Sequence, residues 1–149
     1  MKKLQQILLV DDDPTNNYLN HRLLSNLHIA EEIIVLTNGK LALDYILVNC
    51  SSPEKPCPAL VILDHHMPVM DGLELMKALN QDGILKHSEI VFLLLAVHTR
   101  PAEIEAFTQL GVQEFTPKPL SKERIMEAYA KYWEGDTAKD HVEKHNRYN

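Results

Sequence analysis

What most constrains the fold is a repeated alternation: short, wholly apolar runs, each followed by a longer stretch with helical periodicity. Ile7-Leu8-Leu9-Val10, Ile33-Ile34-Val35-Leu36, Leu60-Val61-Ile62-Leu63 and Ile90 to Leu95 are the runs, and Val112 to Phe115, which Gln113 and Glu114 interrupt, is the fifth strand. A strand apolar at every position has no solvent face, which marks a parallel strand covered by helices on both sides of its sheet. Helix signals fill the intervals. Asp13-Pro14 supplies an N-cap and a first-turn proline ahead of a stripe of Leu19, Leu23, Leu24 and Leu27. Asn38-Gly39 opens a helix carrying Ala42, Tyr45 and Ile46, and Asp71 caps one with Leu75, Met76 and Leu79 inward and Gly83 beyond its end. A helix from about Pro101 to Leu110 closes at Gly111, and Ser121 begins a last one with Ile125, Met126, Tyr129 and Trp133 at helical spacing. The expected fold is α/β: a doubly wound five-stranded parallel sheet, order 2-1-3-4-5, flanked by five helices.

The periodicity stops at Trp133, so residues 1–134 are expected to form one domain and 135–149 a polar tail. His141 and His145 in that tail read as solvated. With 149 residues, 45% hydrophobic and 24% charged, the chain can bury one core of its own. The net charge of −6 argues against a nucleic-acid partner, which requires a basic face. No run reaches membrane-spanning length, and Met1 to Gln6 enters the first strand without a cleavage signal, so a cytoplasmic address and no membrane association are expected. Cys50 and Cys57 flank the turn-rich segment Ser51-Ser52-Pro53-Glu54-Lys55-Pro56 without zinc spacing, and free thiols are expected on compartment grounds.

Charged residues then gather where such sheets bind ligands, at the carboxyl ends of the strands. Asp11 and Asp12 follow the first strand, Asp64 follows the third, and Lys118 follows the fifth. In the order 2-1-3-4-5 the first and third strands are neighbours, so their terminal carboxylates crowd into one crevice. Crowded carboxylates take up a proton or a cation, and hard oxygen ligands of this kind suit Mg²⁺. With a lysine opposite, the set fits phosphoryl transfer to a carboxylate nucleophile. Helix capping accounts for either acidic motif alone; both together with Lys118-Pro119 at a third strand end exceed what capping requires.

Three stretches, Ile7 to Pro14, Leu60-Val61-Ile62-Leu63-Asp64-His65-His66-Met67-Pro68-Val69-Met70-Asp71-Gly72, and Gly111 to Leu120, resemble the receiver domain of two-component response regulators. The resemblance covers about residues 4 to 133 and implies the flavodoxin-like, CheY-like form of the doubly wound fold. It implies that Asp64 is the phosphoacceptor and that Mg²⁺ is bound by Asp12, Asp11, Asp64 and the backbone carbonyl of His66. It further implies that Lys118 pairs with the phosphoryl group and that Lys118-Pro119 is often cis. A histidine kinase or histidine phosphotransfer protein, docking on the first helix, would be the donor, and an unknown downstream protein the recipient. The protein would be no enzyme beyond its own phosphorylation and autodephosphorylation.

The sequence departs from the family pattern at its switch positions. Receivers carry Ser or Thr at the end of the fourth strand, where Ala96 stands here, and Phe115 fills the aromatic switch position with a ring but no hydroxyl. Thr99 is the nearest replacement for the missing hydroxyl. His66 and His98 occupy positions that, in the family, modulate phosphate lifetime. His65, His66 and His98 together show no metal-ligand spacing. A degenerate receiver acting as a phosphorylation-independent adaptor is the competing reading. A related Mg²⁺-dependent phosphatase is disfavoured, because His66 stands where such enzymes need a second aspartate.

Overall fold

A computed structural model describes residues 2–134; the expected polar tail over 135–149, with His141 and His145, lies outside the described residues. In chain order the elements are β1 (Leu4–Val10), α1 (Pro14–Leu27), β2 (Ala30–Leu36), α2 (Gly39–Cys50), β3 (Leu60–Asp64), α3 (Gly72–Asp82), β4 (Val91–Leu95), α4 (Pro101–Gln109), β5 (Val112–Thr116) and α5 (Lys122–Tyr129). A 3-10 turn over Ile84–His87 joins α3 to β4, and a π turn over Ala130–Glu134 prolongs α5. The strands pair in parallel in the order β2-β1-β3-β4-β5, the expected doubly wound sheet.

β3 and β4 are buried at every position, which is why neither shows polar alternation. Successive side chains point to opposite faces, so each apolar run feeds two cores. Ile7, Leu9, Ile62 and Leu93 pack with Leu24 of α1 and Ile125 and Tyr129 of α5. Leu8, Val61, Leu63 and Leu94 pack with Ile46 of α2, Leu75 and Leu79 of α3, and Phe107 of α4. The Tyr129 hydroxyl donates to the carbonyl of Lys2, tying α5 to the start of β1. Helix starts follow the capping residues: the side chains of Asp13, Asn38, Asp71 and Ser121 each accept a first-turn amide.

Three local expectations need correction. β2 begins at Ala30 rather than Ile33, because an edge strand tolerates the exposed Glu31 and Glu32 that disguise its start. In α1, Leu24 is buried and Leu23 and Leu27 pack against the core as expected, but Leu19 is 54% exposed, and Asn17 and Asn20 are buried instead. The reason is polar: Asn17 Nδ2 donates to the Asp11 carbonyl at 2.7 Å, which turns that helical face toward the end of β1. Cys50 and Cys57 form a disulfide rather than free thiols. α2 ends on Cys50 and the segment after it folds back before β3, leaving the two Cα atoms 4.6 Å apart. The Lys118-Pro119 bond is cis, as the resemblance implied. No helix among the described residues is long and apolar enough to cross a membrane.

Ile62 is 1% exposed, at the middle of the sheet between β1 and β4. Ile62→Ala removes buried methyl groups and leaves a cavity, so it is expected to cost about 2–5 kcal/mol. Urea unfolding should show a lower midpoint with an unchanged slope; an unshifted midpoint would contradict this packing.

Candidate functional site

Parallel register brings the strand ends together. Val10 pairs with Leu63 and Asp64 with Leu95, so the chain leaves β1, β3 and β4 at one level of the sheet. The residues leaving there line a cleft of about 480 Å³ that includes Asp11, Asp12, Asp64, His66, Thr99 and Lys118. Asp11 and Asp64 are buried at 2% and 7% exposure, while Asp12 is exposed. The structure therefore unites the expected phosphoacceptor, both acidic partners and the lysine.

Close backbone approaches hold this geometry. A Cβ on Gly72 would stand 2.9 Å from the Asp64 carbonyl oxygen, so only glycine permits α3 to start that near β3. The Gly72 amide donates to the His65 carbonyl at 2.8 Å, closing the β3–α3 loop on itself. Gly39 does the same from α2: its amide donates to the Met70 carbonyl at 3.0 Å, and a Cβ there would meet that oxygen at 2.4 Å. On the first loop, Asp11 Oδ1 accepts the Asp13 amide at 2.9 Å, fixing the carboxylate's direction.

The charges are strongly coupled. Lys118 Nζ stands 2.8 Å from Asp64 Oδ1 and 4.0 Å from Asp11 Oδ2. Burial works against the Lys118 ammonium, but the hydrogen bond and charge of Asp64, with Asp11 behind it, outweigh burial and raise its pKa. Asp11 is pushed the other way for a carboxylate's charge. Its burial, opposed by the Asp13 amide and helped by the charge on Asp64, raises its pKa above the ordinary range. Asp11 Oδ2 is buried and accepts no hydrogen bond among the described residues. One oxygen each from Asp11, Asp12 and Asp64 lie within 4.8 Å of one another. A buried, unsatisfied carboxylate oxygen beside two further carboxylates fits a hard divalent cation.

The remaining expected positions separate. Ala96 is half-buried and packs on the α2–α4 side of the sheet, its amide donating to the Thr116 carbonyl at 2.8 Å. Phe115 is half-buried in the same core. His66 is exposed on the cleft rim, whereas His98, at φ 56°, is exposed and is not among the lining residues; Val97 and Thr99 take its place. Among the described residues that line the cleft, Thr99 carries the one hydroxyl.

Sequence reasoning missed His65. It is 8% exposed, its ring stacks on His66 at 4.2 Å and stands edge-on to Phe107 of α4 at 5.0 Å. Its Nε2 lies 3.8 Å from Glu103 Oε2 in the first turn of α4, and its Nδ1 is buried without a partner among the described residues. The residue next to Asp64 thus bridges the acidic cleft to α4. Nothing in the local sequence signals this, because Glu103 and Phe107 are distant in the chain.

Comparison with known proteins agrees with the geometry. A family model described as the response regulator receiver domain matches residues 7–130. The two-component response regulator ORR41 of Oryza sativa subsp. japonica is 29% identical over 133 residues, spanning 88% of this chain and 96% of that protein. The two-component response regulator 24 of Arabidopsis thaliana is 34% identical over 121 residues, spanning 80% and 77%. A crystal structure of a two component response regulator from Cytophaga hutchinsonii superposes with a TM-score of 0.78 at 25% identity, covering 89% of this chain and 99% of that one.

Asp11→Asn keeps an acceptor for the Asp13 amide and removes one crowded charge. In metal-free neutral buffer its thermal midpoint should exceed that of the wild type by roughly 2–6 °C. Because folding raises the Asp11 pKa, the folded wild type binds that proton more tightly and gains stability as the pH falls through the raised value. The gap should therefore narrow on acidification. A variant less stable than wild type at neutral pH would show that Asp11 is not under electrostatic strain.

Proposed function

The chain belongs to the response regulator receiver family, and on that premise we propose that it accepts a phosphoryl group on Asp64 from a histidine kinase or histidine phosphotransfer protein and signals by protein contact. The observation that carries this reading is the 2.8 Å pairing of Asp64 with Lys118 in a cleft shared with Asp11 and Asp12. An Asp64 carboxylate oxygen attacks phosphorus, an O–P bond forms, and the P–N bond of the phosphohistidine breaks with its electron pair leaving on the imidazole. Lys118 already holds its ammonium at that carboxylate and is placed to follow the charge onto a phosphoryl oxygen. Asp11, Asp12, Asp64 and the His66 carbonyl would hold Mg²⁺, which supplies further positive charge to the phosphoryl oxygens. Water later cleaves the acyl phosphate, and His66 on the rim is placed to affect its approach; His98 stands farther out.

The donor is proposed to dock along α1. Leu19 is exposed there, and it shares a groove with Asn16, Val97 and the Lys118-Pro119 turn beside the acceptor. A net charge of −6 supports a protein partner rather than nucleic acid. One observation favours the alternative of a phosphorylation-independent adaptor: Ala96 offers no hydroxyl to the phosphoryl group. A hydrogen bond to a charged group contributes about 1.5–3 kcal/mol, so its loss weakens the usual coupling without touching the acceptor.

Intact mass after acetyl phosphate treatment separates the two readings. One phosphate adduct is expected on the wild type with Mg²⁺, none without Mg²⁺, and none on Asp64→Asn. No adduct under any condition would favour the adaptor.

With Ala96 and Phe115 lacking hydroxyls, the contact from His65 to Glu103 and Phe107 is the proposed route from Asp64 to α4. Phosphorylation should then change amide hydrogen exchange in α4, and His65→Leu should reduce that change while the adduct on Asp64 remains. An α4 response equal to that of wild type would reject the route.

A further inference from the structure

One reactive pair has no part in the phosphoryl chemistry. Cys50 is the last residue of α2, and Cys57 lies just ahead of β3, at the opposite end of that strand from Asp64. Their bond closes a ring of polar and turn-forming residues that includes Pro53 and Pro56. Both cysteines are half-buried against the core beneath α2. Both also line an open cleft of about 580 Å³ shared with His87 and Trp133, so the disulfide can be approached from solvent.

We propose that Cys50–Cys57 is a reversible redox-modification site, opened by a dithiol reductant and independent of phosphorylation. A reductant thiolate attacks one sulfur through the cleft, the S–S bond breaks, and a mixed disulfide forms while the other cysteine leaves as a thiolate. The second reductant thiolate then displaces the first cysteine. The reductant ends as a disulfide, two electrons pass to the protein, and Cys50 and Cys57 end as thiols.

Placement gives the bond a mechanical consequence. α2 is held at both ends: Gly39 at its start is bonded to the Met70 carbonyl in the β3–α3 loop, and Cys50 at its finish is bonded to the approach to β3. The two attachments bracket the strand that ends on Asp64. Opening the disulfide removes the covalent attachment at the end of α2, leaving there the bond that the Asn49 side-chain amide donates to the Pro56 carbonyl at 3.0 Å, and returns chain entropy to the 50–57 segment of the unfolded state.

The test uses the full chain in native buffer, with iodoacetamide labelling read by mass and unfolding read by temperature. The air-equilibrated protein should take up no label; after dithiothreitol it should take up two equivalents, and its midpoint should fall by roughly 5–10 °C. The double variant Cys50→Ser/Cys57→Ser should unfold at the midpoint of the reduced wild type and ignore the reductant. Reoxidation should restore the wild-type midpoint. Labelling without reductant, resistance to millimolar dithiothreitol in native buffer, or an unchanged midpoint on reduction would each overturn the proposal.

Discussion

Two carboxylates at the buried ends of adjacent parallel strands repel each other, and the rest of this structure is arranged around that repulsion. Asp11 and Asp64 are both nearly inaccessible, and among the described residues the one ammonium between them, Lys118, sits 2.8 Å from the second and 4.0 Å from the first. One cation is too few. Asp11 answers by a raised proton affinity, and its Oδ2 accepts no hydrogen bond among the described residues. A site built this way is under-neutralised by design of its topology: it gains whenever positive charge arrives, and it tolerates an anionic phosphoryl group only in the company of that charge.

Such a site works only if the backbone keeps the charges from moving apart. Part of the restraint comes from loops, because Asp11 and Asp12 stand beyond the end of β1, whereas Asp64 is still paired with Leu95 at the end of β3. Gly72 and Gly39 let α3 and α2 approach the β3–α3 loop closer than any Cβ would allow, and each donates an amide to a carbonyl of that loop. Asn17 holds the Asp11 carbonyl from the other side. The helices contribute apolar burial to the fold, and at their N-terminal ends they also lock the acidic loops. Stability and function therefore meet at the same few residues.

The sheet was legible in the sequence because strands covered on both faces leave uninterrupted apolar runs, and β1, β3 and β4 are of that kind. Asp11, Asp12 and Asp64 were legible because they follow such runs, and Lys118 because it stands two residues beyond β5, so strand order converges them. β2 was legible only in its second half, since the exposed Glu31 and Glu32 of an edge strand carry no hydrophobic signal. Leu19 was misplaced because periodicity ranks leucine above asparagine, whereas the helix turns Asn17 inward to satisfy a buried carbonyl. The disulfide was missed for a different reason: compartment arguments speak to chemistry outside the molecule, and only the fold shows that α2 returns Cys50 to the start of β3. His65 was beyond reach, since its meaning lies in an α4 side chain that no local pattern links to it.

The departures at Ala96 and Phe115 bear on how a phosphoryl group would be noticed. A hydroxyl at the end of β4 draws its loop toward the phosphate by a directed bond, and Ala96 offers none; it faces the α2–α4 core instead. What remains near the acceptor is Thr99 in the cleft and the His65 ring wedged between His66 and Phe107. On the proposed route a ring buried in that position would respond to crowding, and its edge contact with Phe107, 5.0 Å between centroids, would carry displacement to the buried face of α4. Coupling by packing is less directional than coupling by a hydroxyl, but closely packed interiors have few intermediate arrangements, so even a small displacement must be taken up by the helix.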